Sequence, residues 1–117
     1  MNGKAKIDKS AVLFLENTEK FKAIEELIDH SRIFKKAPSL SGIKKAVFDR
    51  EFQQNTGFGH GVAVAHGKMK GLKEMYIAMG LSKRGIEYQS YDGEPVRILF
   101  IVANPPEMQD EYLDNMK

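Results

Sequence analysis

The first part of the chain carries apolar residues in two different patterns. Residues 11–15 are all apolar and predict a short buried strand. Apolar residues then recur at helical spacing, which predicts an amphipathic helix over about residues 18–30. Asn17 or Thr18 is the expected N-cap, because a side-chain oxygen there can accept a hydrogen bond from a free amide of the first turn.

A second helix is predicted from about residue 39 to about residue 53. Ser39 or Ser41 is its expected N-cap, because both follow Pro38, which ends the preceding connection. The residues expected to face inward are Ile43, Ala46, Val47 and Phe52.

The second half of the chain has the pattern of strands. Residues 61–65 are small and apolar, residues 75–81 predict another strand, and residues 82–95 carry turn residues. Residues 96–103 are apolar at nearly every position and predict a strand in the centre of a sheet. Residues 110–117 resemble the opening of a helix. Helices followed by strands of mixed spacing predict an α/β or α+β fold with a mixed sheet.

The composition is typical of a single globular domain. The 117 residues carry 18 Lys and Arg against 16 Asp and Glu, and this small net charge gives no indication of nucleic-acid binding. The chain has no Cys, which excludes disulfides, thiolate metal sites and cysteine nucleophiles. Its apolar runs are too short to insert into a membrane, so we expect a cytoplasmic protein.

The glycine-rich segment 57–61 fits no nucleotide-binding motif. A P-loop requires a hydroxyl residue after Gly67-Lys68, where the chain has Met69, and a dinucleotide pattern would require glycine at Val62. A tight turn is the alternative interpretation of these glycines. A metal site is not expected either, because His60 and His66 would lie about 20 Å apart if the segment between them is extended.

His66 is the histidine with the best case for a functional role. It follows a run of small residues at the predicted end of a strand, where α/β folds place ligand sites, and Gly67 lets backbone amides approach an anion. Basic residues follow it closely in the sequence. The alternative is a hydrogen-bonded histidine with a structural role only.

The segment from Asp49 to Lys68, which reads DREFQQNTGFGHGVAVAHGK, resembles a known phosphohistidine motif. It is similar to the motif of phosphotransferase-system enzyme IIA domains of the mannitol, fructose and nitrogen-regulatory class. The resemblance continues through residues 79–88 and 92–103, and therefore covers nearly the whole chain. It implies a single domain over residues 1–117, with a mixed β-sheet flanked by α-helices.

The resemblance also implies a phosphotransferase without a metal or organic cofactor. His66 would accept a phosphoryl group from the histidine-containing phosphocarrier protein (HPr, or its nitrogen-type counterpart) and pass it to a IIB domain for sugar uptake. Arg50 would bind phosphoryl oxygens, and the alternative is an ion pair with Asp49 or Glu51. Thr56 would hydrogen-bond the phosphoryl group or a neighbouring loop, and structural capping is the alternative.

The chain departs from the family pattern in three places. Ala65 replaces the proline before the active histidine, and Tyr112 lies where the family has a second histidine. A phenol cannot supply the positive charge of that histidine at neutral pH. The short C-terminus implies that part of the C-terminal helical region is missing, and exposed apolar surface would favour a homo-oligomer. These departures leave two alternatives open: a regulatory or degenerate IIA-like domain acting by phosphorylation-dependent partner binding, and a simple binding module.

Overall fold

The computed structural model describes residues 5–6 and 11–106. The prediction of a helix opening at 110–117 lies outside these residues. The elements, in chain order, are β1 (Ala5–Lys6), β2 (Leu13–Phe14), α1 (Lys20–His30), a 3-10 turn (Phe34–Lys36), α2 (Leu40–Gln53), β3 (Gly57–Gly59), β4 (Val62–Lys68), β5 (Met75–Ile86) and β6 (Val96–Asn104).

The strands of the described residues form one mixed sheet in the order β1-β5-β6-β4-β3, and β2 also pairs with β5. β6 is antiparallel to β5 and parallel to β4, which confirms its predicted central position. One hydrophobic cluster joins α1 and α2 to the sheet, and a smaller cluster of Val64, Met75 and Val102 is separate from it. Because neighbouring residues of a strand point to opposite faces, the smaller cluster lies on the face away from the helices. The predicted α/β class with a mixed sheet is confirmed.

The first helix begins later than predicted. It starts at Lys20, and its N-cap is Glu19, whose carboxylate accepts from the amides of Phe21 and Lys22 at 3.2 and 2.8 Å. The predicted caps Asn17 and Thr18 are therefore wrong. Asn17 instead donates its side-chain amide to the Glu26 carboxylate at 2.8 Å, and this bond holds the preceding segment against the helix.

The second helix matches its prediction except at one aromatic residue. Ser39 is the N-cap, as predicted, and its hydroxyl accepts from the Gly42 amide at 3.0 Å. The prediction that Phe52 faces inward is wrong, because its side chain is 72% exposed. The buried positions advance by four residues along one side of the helix, so the last inward position is Glu51. Phe52 stacks on the Phe21 ring with centroids 4.5 Å apart.

Two strand predictions differ from the structure in length. The predicted strand at 11–15 is reduced to β2, where Phe14 is 59% exposed because the strand lies at the edge of the sheet. The predicted strand at 75–81 continues to Ile86, past an irregularity in the pairing with β6. Residues 82–86 were therefore wrongly predicted as a turn.

Candidate active site

The sequence predicted that the strand carrying His66 ends at this residue, and that prediction is wrong. β4 continues to Lys68 and stays paired with β6 throughout, with His66 opposite Val102 and Gly67 opposite Ala103. The small residues of this strand serve in packing and do not mark its end. Ala63 and Ala65 face the helices and are fully buried, so they let α2 pack closely on the strand.

Gly67 is the point of closest approach between β4 and α2. A Cβ atom added at Gly67 would lie 2.7 Å from the backbone nitrogen of Val47 and 2.8 Å from the carbonyl carbon of Ala46. Real Cβ atoms are not found that close to backbone, so this position requires glycine. The contact holds α2 against β4 at the residue next to His66, and the last turn of this helix carries Arg50 and Glu51.

The His66 ring is half-buried and lies along the edge of β4. Its Nδ1 donates to the carbonyl oxygen of Val64 at 3.3 Å. The Val64 amide donates in turn to the carbonyl of Thr56 at 3.2 Å. Because the N–H and C=O of one strand residue point to the same side, the ring lies on the side of β4 that faces the segment before β3. With the proton on Nδ1, the nucleophilic lone pair of the neutral ring is on Nε2.

The surroundings of His66 favour the neutral imidazole. Burial lowers its pKa below the ordinary value of 6.5, and the nearby charges of Arg50 and Lys68 lower it further. The hydrogen bond to Val64 and the negative charge of Glu51 act in the opposite direction without cancelling the shift. A neutral imidazole at neutral pH can act as a nucleophile.

This lowered pKa predicts a pH dependence of stability. Below about pH 6.5 the unfolded chain binds a proton at His66 more readily than the folded chain, so the free energy of unfolding falls as the pH falls. The stabilisation is fully present above the ordinary pKa and is lost as the pH drops through the lowered one. Thermal unfolding of the wild type and His66→Gln at several pH values measures it. We expect the wild type to lose more stability in acid, and equal slopes would contradict the prediction.

Arg50 lies in the last turn of α2, and its charge acts on His66. Its Nη1 donates to the carbonyl oxygen of Gln54 at 2.9 Å. The alternative role of Arg50, an ion pair with Asp49 or Glu51, does not appear among the contacts of the described residues. Asp49 pairs with Lys45 at 2.7 Å, and Glu51 pairs with Lys20 at 3.1 Å.

Thr56 is buried, and its hydroxyl donates to Glu51 Oε1 at 2.6 Å. It also lies 2.9 Å from the hydroxyl of Tyr88. These bonds join Thr56 to the end of α2 and to Tyr88, and a bond from Thr56 to a phosphoryl group stays a prediction. Tyr112, the fourth predicted site residue, lies outside the described residues.

Glu51 is the residue of this region that the sequence prediction left without a role of its own. Its side chain is fully buried and accepts hydrogen bonds from the Thr56 amide and hydroxyl, Lys20 and Tyr88. A carboxylate on the inward side of a helix is a detectable signal, because Glu is almost never buried without partners. Glu51 comes four positions after the buried Val47, which comes four positions after Ile43, so the three residues lie on one side of the helix.

The glycine-rich segment forms the tight turn between β3 and β4. Gly59, His60 and Gly61 all have positive φ angles, of 91°, 58° and 80°. The carboxylate of Asp92 accepts from the His60 amide at 2.8 Å and holds the turn against the loop before β6. This bond lowers the pKa of Asp92. The interpretation as turn residues is confirmed for Gly59 and Gly61, whereas Gly57 lies in β3 and packs closely against the Ser90 side chain.

The described residues hold neither a cluster of metal ligands nor a membrane-spanning helix. No three histidine, aspartate or glutamate side chains in this part of the chain come together as ligands for a metal ion. No helix within it is long and apolar enough to cross a membrane.

The fold is shared with solved enzyme IIA structures. The nitrogen regulatory protein IIA-Ntr from Neisseria meningitidis superposes with a TM-score of 0.79 and 28% identity, over 90% of this chain and 71% of that one. IIA mannitol from Escherichia coli has the same fold, with a TM-score of 0.75 and 16% identity over 95% of this chain and 80% of its own.

Sequence comparison gives the family. Residues 6–117 match the family described as phosphoenolpyruvate-dependent sugar phosphotransferase system, EIIA 2, and the chain belongs to this family. It is 33% identical over 105 residues to the fructose-specific EIIABC component of Bacillus subtilis, covering 87% of this chain and 16% of that protein. It is 36% identical over 75 residues to a nitrogen regulatory protein of Bradyrhizobium diazoefficiens, covering 60% and 49%. The chain thus spans less than two thirds of these relatives.

Proposed function

We propose that this domain is a phosphocarrier that accepts a phosphoryl group on Nε2 of His66 and passes it on. The observation that carries the proposal is the half-buried imidazole, held through Nδ1 by the Val64 carbonyl and placed within the electrostatic reach of Arg50. The donor is the phosphohistidine of the histidine-containing phosphocarrier protein, and the acceptor is a IIB domain. A relative supports this acceptor: one solved structure similar to this chain is the complex of enzyme IIAMtl and phosphorylated enzyme IIBMtl from Escherichia coli.

The residues at the site suit such a transfer. The Nε2 lone pair forms the new N–P bond as the bond between phosphorus and the donor imidazole breaks, and the donor nitrogen keeps that electron pair. The proton on Nδ1 stays hydrogen-bonded to the Val64 carbonyl, which stabilises the positive charge that the phosphorylated ring gains. The guanidinium of Arg50 provides paired N–H donors for the phosphoryl oxygens. Phosphoryl transfer demands mainly positioning and charge stabilisation of this kind.

Labelling tests the proposal directly. The wild-type chain is incubated with radiolabelled phosphoenolpyruvate, enzyme I and the phosphocarrier protein, and we expect it to take up label that resists alkali and is lost in acid, as a phosphohistidine is. Omission of the phosphocarrier protein is the control and should leave the chain unlabelled. Label that survives acid, or no label at all, would contradict the proposal.

A regulatory role is the second candidate, and the relatives named nitrogen regulatory protein favour it. In that case the phosphorylated and unphosphorylated forms would bind a partner differently, without supplying a transporter. Addition of a IIB domain to the labelled chain separates the two functions. Rapid loss of label to the IIB domain indicates sugar uptake, and label that stays on the chain indicates regulation.

A further inference from the structure

Glu51 occupies a fully buried position at the junction of three parts of the fold. Its Oε2 accepts from the Thr56 amide at 3.0 Å and from Lys20 Nζ at 3.1 Å. Its Oε1 accepts from the Thr56 hydroxyl at 2.6 Å and from the Tyr88 hydroxyl at 3.3 Å. The carboxylate at the end of α2 is therefore bonded to three other parts of the fold. These are Lys20 at the start of α1, Thr56 before β3 and Tyr88 shortly after β5.

The segment held by Glu51 contacts Arg50 directly and contacts Val64, the residue whose carbonyl holds the His66 ring. The Gln54 carbonyl accepts from the Arg50 guanidinium, and the Thr56 carbonyl accepts from the Val64 amide on the edge of β4 where the His66 ring lies. The position of Arg50 relative to His66 thus depends on the course of residues 54–56. That course depends in turn on the two hydrogen bonds from Thr56 to the carboxylate.

We propose that Glu51 is a positioning residue for phosphoryl transfer, which fixes segment 54–56 and through it the guanidinium of Arg50 beside His66. This inference rests on the proposed function of His66. It also explains why the buried residue is a carboxylate. An apolar residue would fill the space but would leave the Thr56 amide and hydroxyl without this acceptor.

The charges around Glu51 fit this role. Lys20 lies beside the carboxylate and over the Tyr88 ring at 5.0 Å, so the buried negative charge is compensated. Burial and the carboxylate raise the pKa of Tyr88, which keeps its hydroxyl protonated as a donor. At the His66 ring, the negative charge of Glu51 opposes the positive charges of Arg50 and Lys68.

A double-mutant cycle tests whether Glu51 acts through Arg50. Glu51→Gln keeps the shape of the side chain and removes its charge, and we expect it to slow phosphorylation of His66 by about tenfold or more, since small misplacements of a binding group have effects of this size. In an Arg50→Ala background the same change is expected to slow the reaction little further. A merely structural role would give equal effects in both backgrounds, and that result would overturn the inference.

Titration of the His66 ring by NMR gives a readout that needs no phosphorylation. Arg50→Ala removes a positive charge that acts on the ring and is expected to raise the pKa of His66. If Glu51 holds Arg50 in place, this rise is smaller in the Glu51→Gln background than in the wild type. The matched control background is Glu26→Gln, because the Glu26 carboxylate also accepts backbone amides, of Glu16 and Asn17, and no contact joins it to His66. An equal rise on Arg50→Ala in the wild-type, Glu51→Gln and Glu26→Gln backgrounds would overturn the inference.

These measurements separate the proposed function of His66 from the positioning role of Glu51. A wild-type chain that takes no label overturns the proposed function, and the titrations then decide the role of Glu51 at the ring. If Glu51→Gln prevents folding, Tyr88→Phe removes one partner of the carboxylate and keeps its charge. This variant is expected to slow phosphorylation less than Glu51→Gln would, and the slowing should again disappear without Arg50. Slowing that persists in the Arg50→Ala background would contradict the proposal.

Discussion

Replacing His66 by glutamine is expected to abolish phosphorylation of the chain. Glutamine is polar and similar in size to histidine, but it has no nucleophilic nitrogen that can take up a phosphoryl group. The variant should therefore fold, and its label should fall to the level of a reaction without the phosphocarrier protein. Autoradiography after the labelling reaction measures this, and circular dichroism verifies the fold.

The chain offers a matched control for this variant in His60, which lies in the turn between β3 and β4. Its backbone amide, and not its ring, makes the hydrogen bond to Asp92, so His60→Asn preserves that contact, and asparagine tolerates the positive φ of 58°. We expect normal labelling of His60→Asn. Label that persists in His66→Gln and disappears in His60→Asn would move the phosphorylated residue to His60.

Gly67→Ala is expected to destabilise the domain by about 3 kcal/mol, at the upper end for an overpacked core. The added methyl would lie 2.7 Å from the backbone of Val47, so α2 or β4 has to move. Backbone in a packed helix cannot rotate away as a side chain can, and the cost cannot be avoided locally. In thermal unfolding this corresponds to a fall in Tm of roughly 10 °C for a chain of this size.

Gly42→Ala is the matched control for this prediction, because it also adds one methyl group in the region of α2. The closest atom to that methyl would be the sulfur of Met69 at 2.7 Å, which lies near the end of a flexible side chain and can move. Alanine also has a higher helix propensity than glycine. We expect stability within about 1 kcal/mol of the wild type. A Gly67→Ala variant as stable as Gly42→Ala would show that α2 is not held against β4 at this point.

The helices and the central strand were predictable because their signals are local and repeat. α2 has a serine cap and apolar residues on one side, and β6 is apolar at nearly every position and contributes buried residues to the clusters on both faces of the sheet. The N-cap of α1 was not predictable in this way. Glu19, Asn17 and Thr18 can all accept from free amides, and the choice depends on the contact between Asn17 and Glu26, which are nine residues apart.

The candidate site was predictable only where its residues form a motif in the sequence. His66 and Arg50 were named from the motif, and in the structure the charge of Arg50 acts on the His66 ring. The network of Glu51 was missed because its partners Lys20 and Tyr88 lie 31 and 37 residues away, and no local pattern connects them. The end of β4 was misplaced for a similar reason, since Gly67 continues the strand and is required there by the distant backbone of Val47.

The position of β6 in the sheet determines when the domain can fold during its synthesis. β6 is the last strand of the described chain, yet it lies between β5 and β4 and is the neighbour that joins them. Until residues 96–104 leave the ribosome, the segment with His66 has only the short β3 as a partner strand. While residues 69–104 are being synthesised, the nascent chain therefore carries a largely apolar strand with one edge unpaired, which exposes it to aggregation and to chaperones.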